Sequence, residues 1–178
     1  MLVRGTDYGT DGAEYRTERD TFSKIISYGS AGNGPAWFKV WTKSGQILEF
    51  GNTADSRIEA IGKSGARAWA QNSLNDSSGN RLTITYAENS TNGEYNPSRI
   101  DYTANAKTGL AAANAVQFAY ETRPDIVAQY PQGALIKNTQ RLTGITTYAG
   151  GTKVSSYQLT YEASPTSTRS RLTSLKEC

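Results

Sequence analysis

The stretch Leu74 to Tyr86, LNDSSGNRLTITY, places Asp76, Ser78 and Asn80 at alternate positions. Oxygen ligands at positions one, three and five begin a calcium-binding loop of the EF-hand type. The pattern then fails. Position six must be glycine and position twelve glutamate, but Arg81 and Ala87 stand there, and the glycine is Gly79 at position four. An arginine where the chain should wrap a dication is also electrostatically wrong. A turn between two strands fits every residue. Asp76 accepts backbone N–H bonds, Gly79 and Asn80 tolerate left-handed backbone, and alternation resumes at Leu82.

Three other groups have chemically useful types. Asp55, Arg57 and Glu59 alternate, so two carboxylates would share one side of a strand, the minimum for acid–base work. A solvated strand face is the plainer account. Arg123, with Pro124 and Asp125, follows a strand and would clamp a carboxylate or phosphate. An Arg–Asp contact within a turn explains it as well. Trp37, Trp41 and Trp69 would make a sugar-stacking platform, and Trp37 and Trp41, four apart, share a strand face. Core packing is the commoner role of such rings. Asn75 and Asn89 begin glycosylation-type triplets too short and common to carry a reading.

No residue is assigned to catalysis, to a cofactor or to a metal. The chain has no histidine, which removes the commonest general base and metal ligand. Its one cysteine, Cys178, is the last residue, so neither an internal disulfide nor a cysteine zinc cluster forms. It is expected to mark where a longer chain was cut rather than a reactive thiol, and the segment is expected to be internal to something larger. The N-terminus has no secretory signal pattern and no apolar run approaches ~20 residues, so no membrane span is expected. The net charge of +3, from 19 basic and 16 acidic residues, is too balanced to point to nucleic acid.

These side chains need a scaffold, and its period is two. Strands are expected at Phe22–Tyr28, Trp37–Thr42, Ile47–Phe50, Ala66–Leu74, Leu82–Tyr86, Ser98–Tyr102, Ala115–Tyr120, Thr139–Tyr148, Val154–Tyr161 and Arg171–Leu175. The run GSAGNGP after Tyr28 reads as a loop; KSGQ, with Gly45 in the positive-φ position, and AGGTK read as turns. Asp55–Ile61, which Asp55 would cap as a helix, and Leu110–Ala115 are read as non-helical because alternation resumes after each. Strands repeatedly end in tyrosine, at Tyr28, Tyr86, Tyr102, Tyr120, Tyr148 and Tyr161, and repeatedly begin Arg-Leu, at Arg81, Arg141 and Arg171. The spacing is too irregular for a propeller or strict solenoid. The 178 residues are expected to form one all-β unit, an antiparallel hairpin meander in a curved, twisted sheet where each strand presents a tyrosine to its neighbour.

In order, GPAWFKVWTKSGQILEFG, DSRIEA, ARAWAQNSLNDSSGNRLTITY, YNPSRIDYT, VQFAYETRPD, RLTGITTY and YQLTYEASPTSTRSRLTSLKEC resemble the B-type component of bacterial insecticidal Tc toxins. That segment is shared with the N-terminal half of the Salmonella virulence plasmid B protein and is related to RHS/YD-repeat proteins. The resemblance spans Tyr15 to Cys178, and DSSGNRLTITY is similar to a YD-repeat unit, with Asn75 where the tyrosine would stand. It implies a secreted toxin part. In that family B- and C-type components build a hollow β-sheet shell around a cytotoxic fragment, and a β-propeller docks the shell on a pore-forming A-type component. This segment would be shell, preceding the propeller, with the rest of its own chain and the C- and A-type components as partners. The shell-cleaving aspartates belong to the C component and match nothing here. The ADP-ribosyltransferase of the virulence protein lies in its other half and is not implied. Two other classes compete: a β-sandwich module binding glycans or a host surface, and, more distantly, a paired-carboxylate hydrolase.

Overall fold

The structure is a computed structural model that describes residues 2–4, 8–59 and 61–178. Its strands are β1 (Leu2–Arg4), β2 (Glu14–Arg16), β3 (Lys24–Ala31), β4 (Gly34–Trp41), β5 (Ile47–Phe50), β6 (Arg57–Glu59), β7 (Ala66–Trp69) and β8 (Gln71–Asn75). Six longer ones follow: β9 (Asn80–Asn89), β10 (Glu94–Asn105), β11 (Asn114–Gln129), β12 (Ile136–Ala149), β13 (Thr152–Ala163) and β14 (Ser170–Glu177). All pairings are antiparallel. Twelve strands lie in one sheet in chain order, and β6 and β7 form a separate ribbon. The sheet is open, since β1 and β14 are its two edges. Among the described residues there is no α-helix, only single 3-10 turns at Ala54–Ser56 and Pro131–Gly133. The all-β antiparallel meander read from the alternation is the architecture found.

One apolar cluster lies near the N-terminal end. Ala13, Tyr15, Ile25 and Phe38 are buried, with Val40, Phe50 and Trp69 packed against them. The rings meet edge to face: Tyr15 and Phe38 at 5.5 Å, Phe38 and Trp69 at 4.9 Å. The indole N–H of Trp69 donates to the Pro35 carbonyl at 3.1 Å, so its polar atom is satisfied. Gly51 makes this approach possible. Its φ is +76°, and a Cβ there would lie 2.4 Å from Cδ1 of Trp69.

Three expected elements differ. GSAGNGP is not a loop: β3 and β4 pair down to Ala31 and Gly34, leaving Gly32–Asn33 as a two-residue turn with Gly32 at φ +61°. Ala66–Leu74 is not one strand. At Ala70 the N–H donates to the Ser56 carbonyl and the carbonyl accepts from Gly51, so β7 leaves the sheet to pair with β6. Arg123–Asp125 is not a turn after a strand but the interior of β11. Residues 123–126 bulge out of register between Thr122 and Val127, which accommodates Pro124, a residue with no N–H to donate. Asp55 and Ser56 sit within a 3-10 turn whose N-cap is Thr53, so Asp55 is not a cap, and Arg57–Glu59 of the same span is strand.

Candidate functional site

The opening loop is a closed turn. Oδ1 of Asp76 accepts the N–H groups of Ser78 and Asn80, both at 2.9 Å, and Oδ2 accepts from the Asn80 amide at 2.8 Å. The Asn80 amide, ahead of those backbone bonds, holds the Asp76 carboxyl below its usual value despite partial desolvation. Both carboxylate oxygens thus point at N–H donors. From the next turn, Asn105 donates to Asn80 at 3.0 Å and Lys107 to the Ser77 carbonyl at 2.6 Å. Among the described residues no group of three or more acidic or cysteine side chains is placed to hold a metal.

The candidate carboxylate pair, Asp55 and Glu59, is split. Asp55 turns away and accepts the Tyr86 N–H at 2.7 Å, while Arg57 lies 3.4 Å from Glu59. A different acidic contact forms instead. Burial first, then the charge of Glu59 and a hydrogen bond with it, push the Glu88 carboxyl up. Glu88 comes from β9, so spacing along the chain gave no signal for it. Arg123 grips Asp125 through two bonds, at 3.1 and 2.9 Å. Asp125 also accepts the Ser170 N–H at 2.8 Å. Arg123, then Ser170, hold its carboxyl far below the usual range, so Arg123 is committed to an internal partner.

The tryptophans divide. Trp69 is in the core. Trp37 and Trp41 share the face of β4 opposite to Phe38 and are half-buried. Trp37 stacks on Tyr28 at 4.3 Å, and the ammonium groups of Lys24 and Lys39 lie 5.6 and 5.5 Å from the Trp41 ring. Core packing therefore accounts for one of the three. Arg67 has Nε and Nη2 buried without a hydrogen-bond partner, beside a cavity of about 360 Å³ also lined by Tyr95, Gln129 and Asn138.

The strand-final tyrosines hold the most regular arrangement. Hydroxyl donors run from Tyr86 on β9 to the Gln71 carbonyl on β8 (2.7 Å), from Tyr120 on β11 to Pro97 on β10 (2.8 Å), and from Tyr161 on β13 to Leu142 on β12 (2.7 Å). In each pair the backbone ladder stops first, at Ser73–Thr83, Arg99–Gln117 and Gly144–Gln158. The tyrosine lies three residues beyond that last pair and its acceptor two residues before it, all three times. Each acceptor adjoins a register shift, at Gln71–Ser73, Pro97–Arg99 and Leu142–Gly144. The strands part at this end and a phenol spans the gap. TITY, QFAY and QLTY, the residues from last pair to tyrosine, are the sequence trace of it.

Carboxylates fasten strands that are not neighbours. Glu94 on β10 is buried and accepts the N–H groups of Thr139 (3.0 Å) and Gln140 (2.9 Å) on β12, opposite the β11 bulge. Asp125 in that bulge likewise reaches Ser170 on β14, past β12 and β13. The sheet must curl for these contacts to form. Nothing local in the sequence pairs residues 45 or 46 positions apart.

No family model and no curated protein matches the chain. Solved structures do. The N-terminal domain of the effector protein SpvB from Salmonella typhimurium strain LT2 superposes with a TM-score of 0.78 at 16% identity, over 93% of this chain and 68% of that one. The structure of TcdB2-TccC3-TEV matches with a TM-score of 0.77 at 14% identity over 99% of this chain, and that of TcdB2-TccC3-Cdc42 with 0.73 at 15% over 93%. This chain spans 12% and 10% of the lengths of those two. At such identities the likeness is one of fold, and the fold is that of the SpvB N-terminal domain and of part of TcdB2-TccC3.

Proposed function

We propose that the chain is a structural segment of a secreted bacterial toxin, a piece of the β-sheet wall that encloses a cytotoxic fragment. Its partners are then the rest of its own polypeptide, a C-type component that completes the wall, and a pore-forming A-type component on which the wall docks. In this reading it has no catalytic role. One observation carries it: the match to TcdB2-TccC3-TEV takes in 99% of this chain, so the whole sheet is accounted for by a fold used in that assembly. The chemistry agrees. Asp76, Glu94, Arg123 and Asp125 all bind other parts of the chain. Negative-stain microscopy of the natural polypeptide, purified with and without its C-type partner, tests the reading. Closed hollow particles are expected with the partner. Particles that never associate would overturn it.

The half-buried Trp37–Tyr28 stack and the lysine-flanked Trp41 favour a second reading, a glycan- or host-surface-binding face on β3 and β4. Capture of a glycan by the folded protein, abolished in Trp37→Ala with the sheet intact, would bring it forward. Failure to capture any would remove it.

A further inference from the structure

We infer that the cavity beside Arg67 binds a carboxylate, held side-on by the Nε–H and Nη2–H of that guanidinium. The inference rests on the cavity and its donors, so it stands apart from the wall reading.

Arg67 is displaced from its own ladder. In the β6–β7 ribbon Ile58 faces Ala68 and Glu59 faces Ala66, so Arg67 is the extra residue of a β-bulge. A bulge re-aims a side chain out of the regular alternation. Here Arg67 lines a cavity of about 360 Å³ formed at the start of β10, the end of β11 and the start of β12.

The guanidinium has donors to spare. Its Nε and Nη2 are buried and have no hydrogen-bond partner among the described residues. These two atoms form one edge of the planar group, the edge that meets both oxygens of a carboxylate in parallel bonds. A buried cation without an opposing charge is costly, so such groups are normally paired. Arg57, Arg99, Arg123 and Arg141 each lie against a carboxylate of this chain. Arg67 has none among the described residues. The acid nearest to hand, Glu94, lines the same cavity but is committed elsewhere. It accepts the N–H groups of Thr139 and Gln140, the Thr139 hydroxyl and the Asn92 amide.

The rest of the lining sets the ligand class. The side-chain amides of Gln129 and Asn138 offer further N–H donors to the oxygens' remaining lone pairs. Pro131 and Ile136 give an apolar wall for a short aliphatic stem. The negative charge of Glu94 at the same cavity disfavours a dianion such as phosphate and leaves a monoanion as the better match.

The test titrates the whole folded chain with sodium propionate at neutral pH, against sodium chloride at equal ionic strength, and follows the backbone amide shifts of Gly93 and Tyr95. Two charge-assisted bonds point to saturation at about millimolar concentration. Propionamide, the same shape without the charge, is expected to leave both shifts in place. Arg67→Lys keeps the charge but loses the two-point edge and should weaken propionate roughly ten-fold. Arg67→Met should abolish the response with the remaining spectrum retained. A second titration, with the peptide acetyl-Gly-Glu-Gly-amide, separates two sources of the same chemistry. Tighter binding than propionate assigns the site to an acidic side chain of another polypeptide segment, and equal binding to a free small carboxylate; both uphold the inference. No saturable shift with either probe would overturn it. So would an equal response to propionamide, unchanged affinity in Arg67→Lys, or a response that survives in Arg67→Met.

Discussion

The two halves of the sheet are held together differently. Of the seven buried apolar residues among those described, six precede residue 60, and only Ala115 lies in the long strands. β2 to β5 close over rings and aliphatic side chains. β9 to β14 expose Val154, Leu172 and Leu175 and rely on hydroxyl and carboxylate bonds between strands. The lesson is that a sheet this polar need not be one cooperative core. Burial scales with area and fastens one end, while directional bonds of modest net worth hold the other in a fixed curl.

The largest effect should come from the core. Phe38→Ala removes a buried ring between Tyr15 and Trp69, a change that costs roughly 3–5 kcal/mol in cores. Residue-resolved hydrogen exchange should show β3 to β5 opening while amides of β11 to β13 keep their protection. Loss of protection across the whole sheet would break the comparison and make the molecule a single unit.

Smaller and graded effects are expected in the other half. Tyr86→Phe, Tyr120→Phe and Tyr161→Phe each delete one hydroxyl bond and keep the ring. Each should cost about 0.5–1.5 kcal/mol in urea denaturation, with local exchange rising next to the variant site. Tyr120 should sit at the low end, because its bond is exposed whereas those of Tyr86 and Tyr161 are partly buried. Three equal and negligible values would mean that the phenols merely cover the gap.

Much of this was legible in the sequence. Alternation placed every long strand, and the Asp76 turn was readable because each of its bonds spans four residues or fewer. The tyrosine endings were visible too, but six candidates looked alike. Tyr86, Tyr120 and Tyr161 are set apart by a ladder that stops three residues earlier, which is a property of pairing and not of any segment. Tyr28 lacks that context and stacks on Trp37 instead. The Glu94 and Asp125 contacts were hidden for the same reason. They join strands that are two and three places apart in the sheet, and a bulge of four residues, 123–126, had to be known first. A proline after an alternating run reads as an end, and here it was a bulge.

The smallest expected effect is on pH, and its sign differs between two carboxylates. Asp125 is held far below the usual value by Arg123 and Ser170. A lowered folded value favours the native state above the unfolded value, near pH 4, and that contribution fades as pH falls further. Glu88 is the opposite case. Burial and Glu59 raise its value, so its contribution is complete below the unfolded value of about 4.3 and is lost as pH rises through the raised one. Acidifying from neutral should therefore first relieve Glu88 and then weaken Asp125, giving a shallow stability maximum on the mildly acidic side. Glu88→Gln should flatten the limb above that maximum, and Asp125→Asn the limb below it, in urea midpoints measured against pH. If Asp125→Asn left the acid limb unchanged, the tie from β11 to β14 would run through Arg141 on β12, which bonds Glu121 on β11 and Ser170 on β14, each at 2.7 Å, rather than through the Asp125 carboxylate.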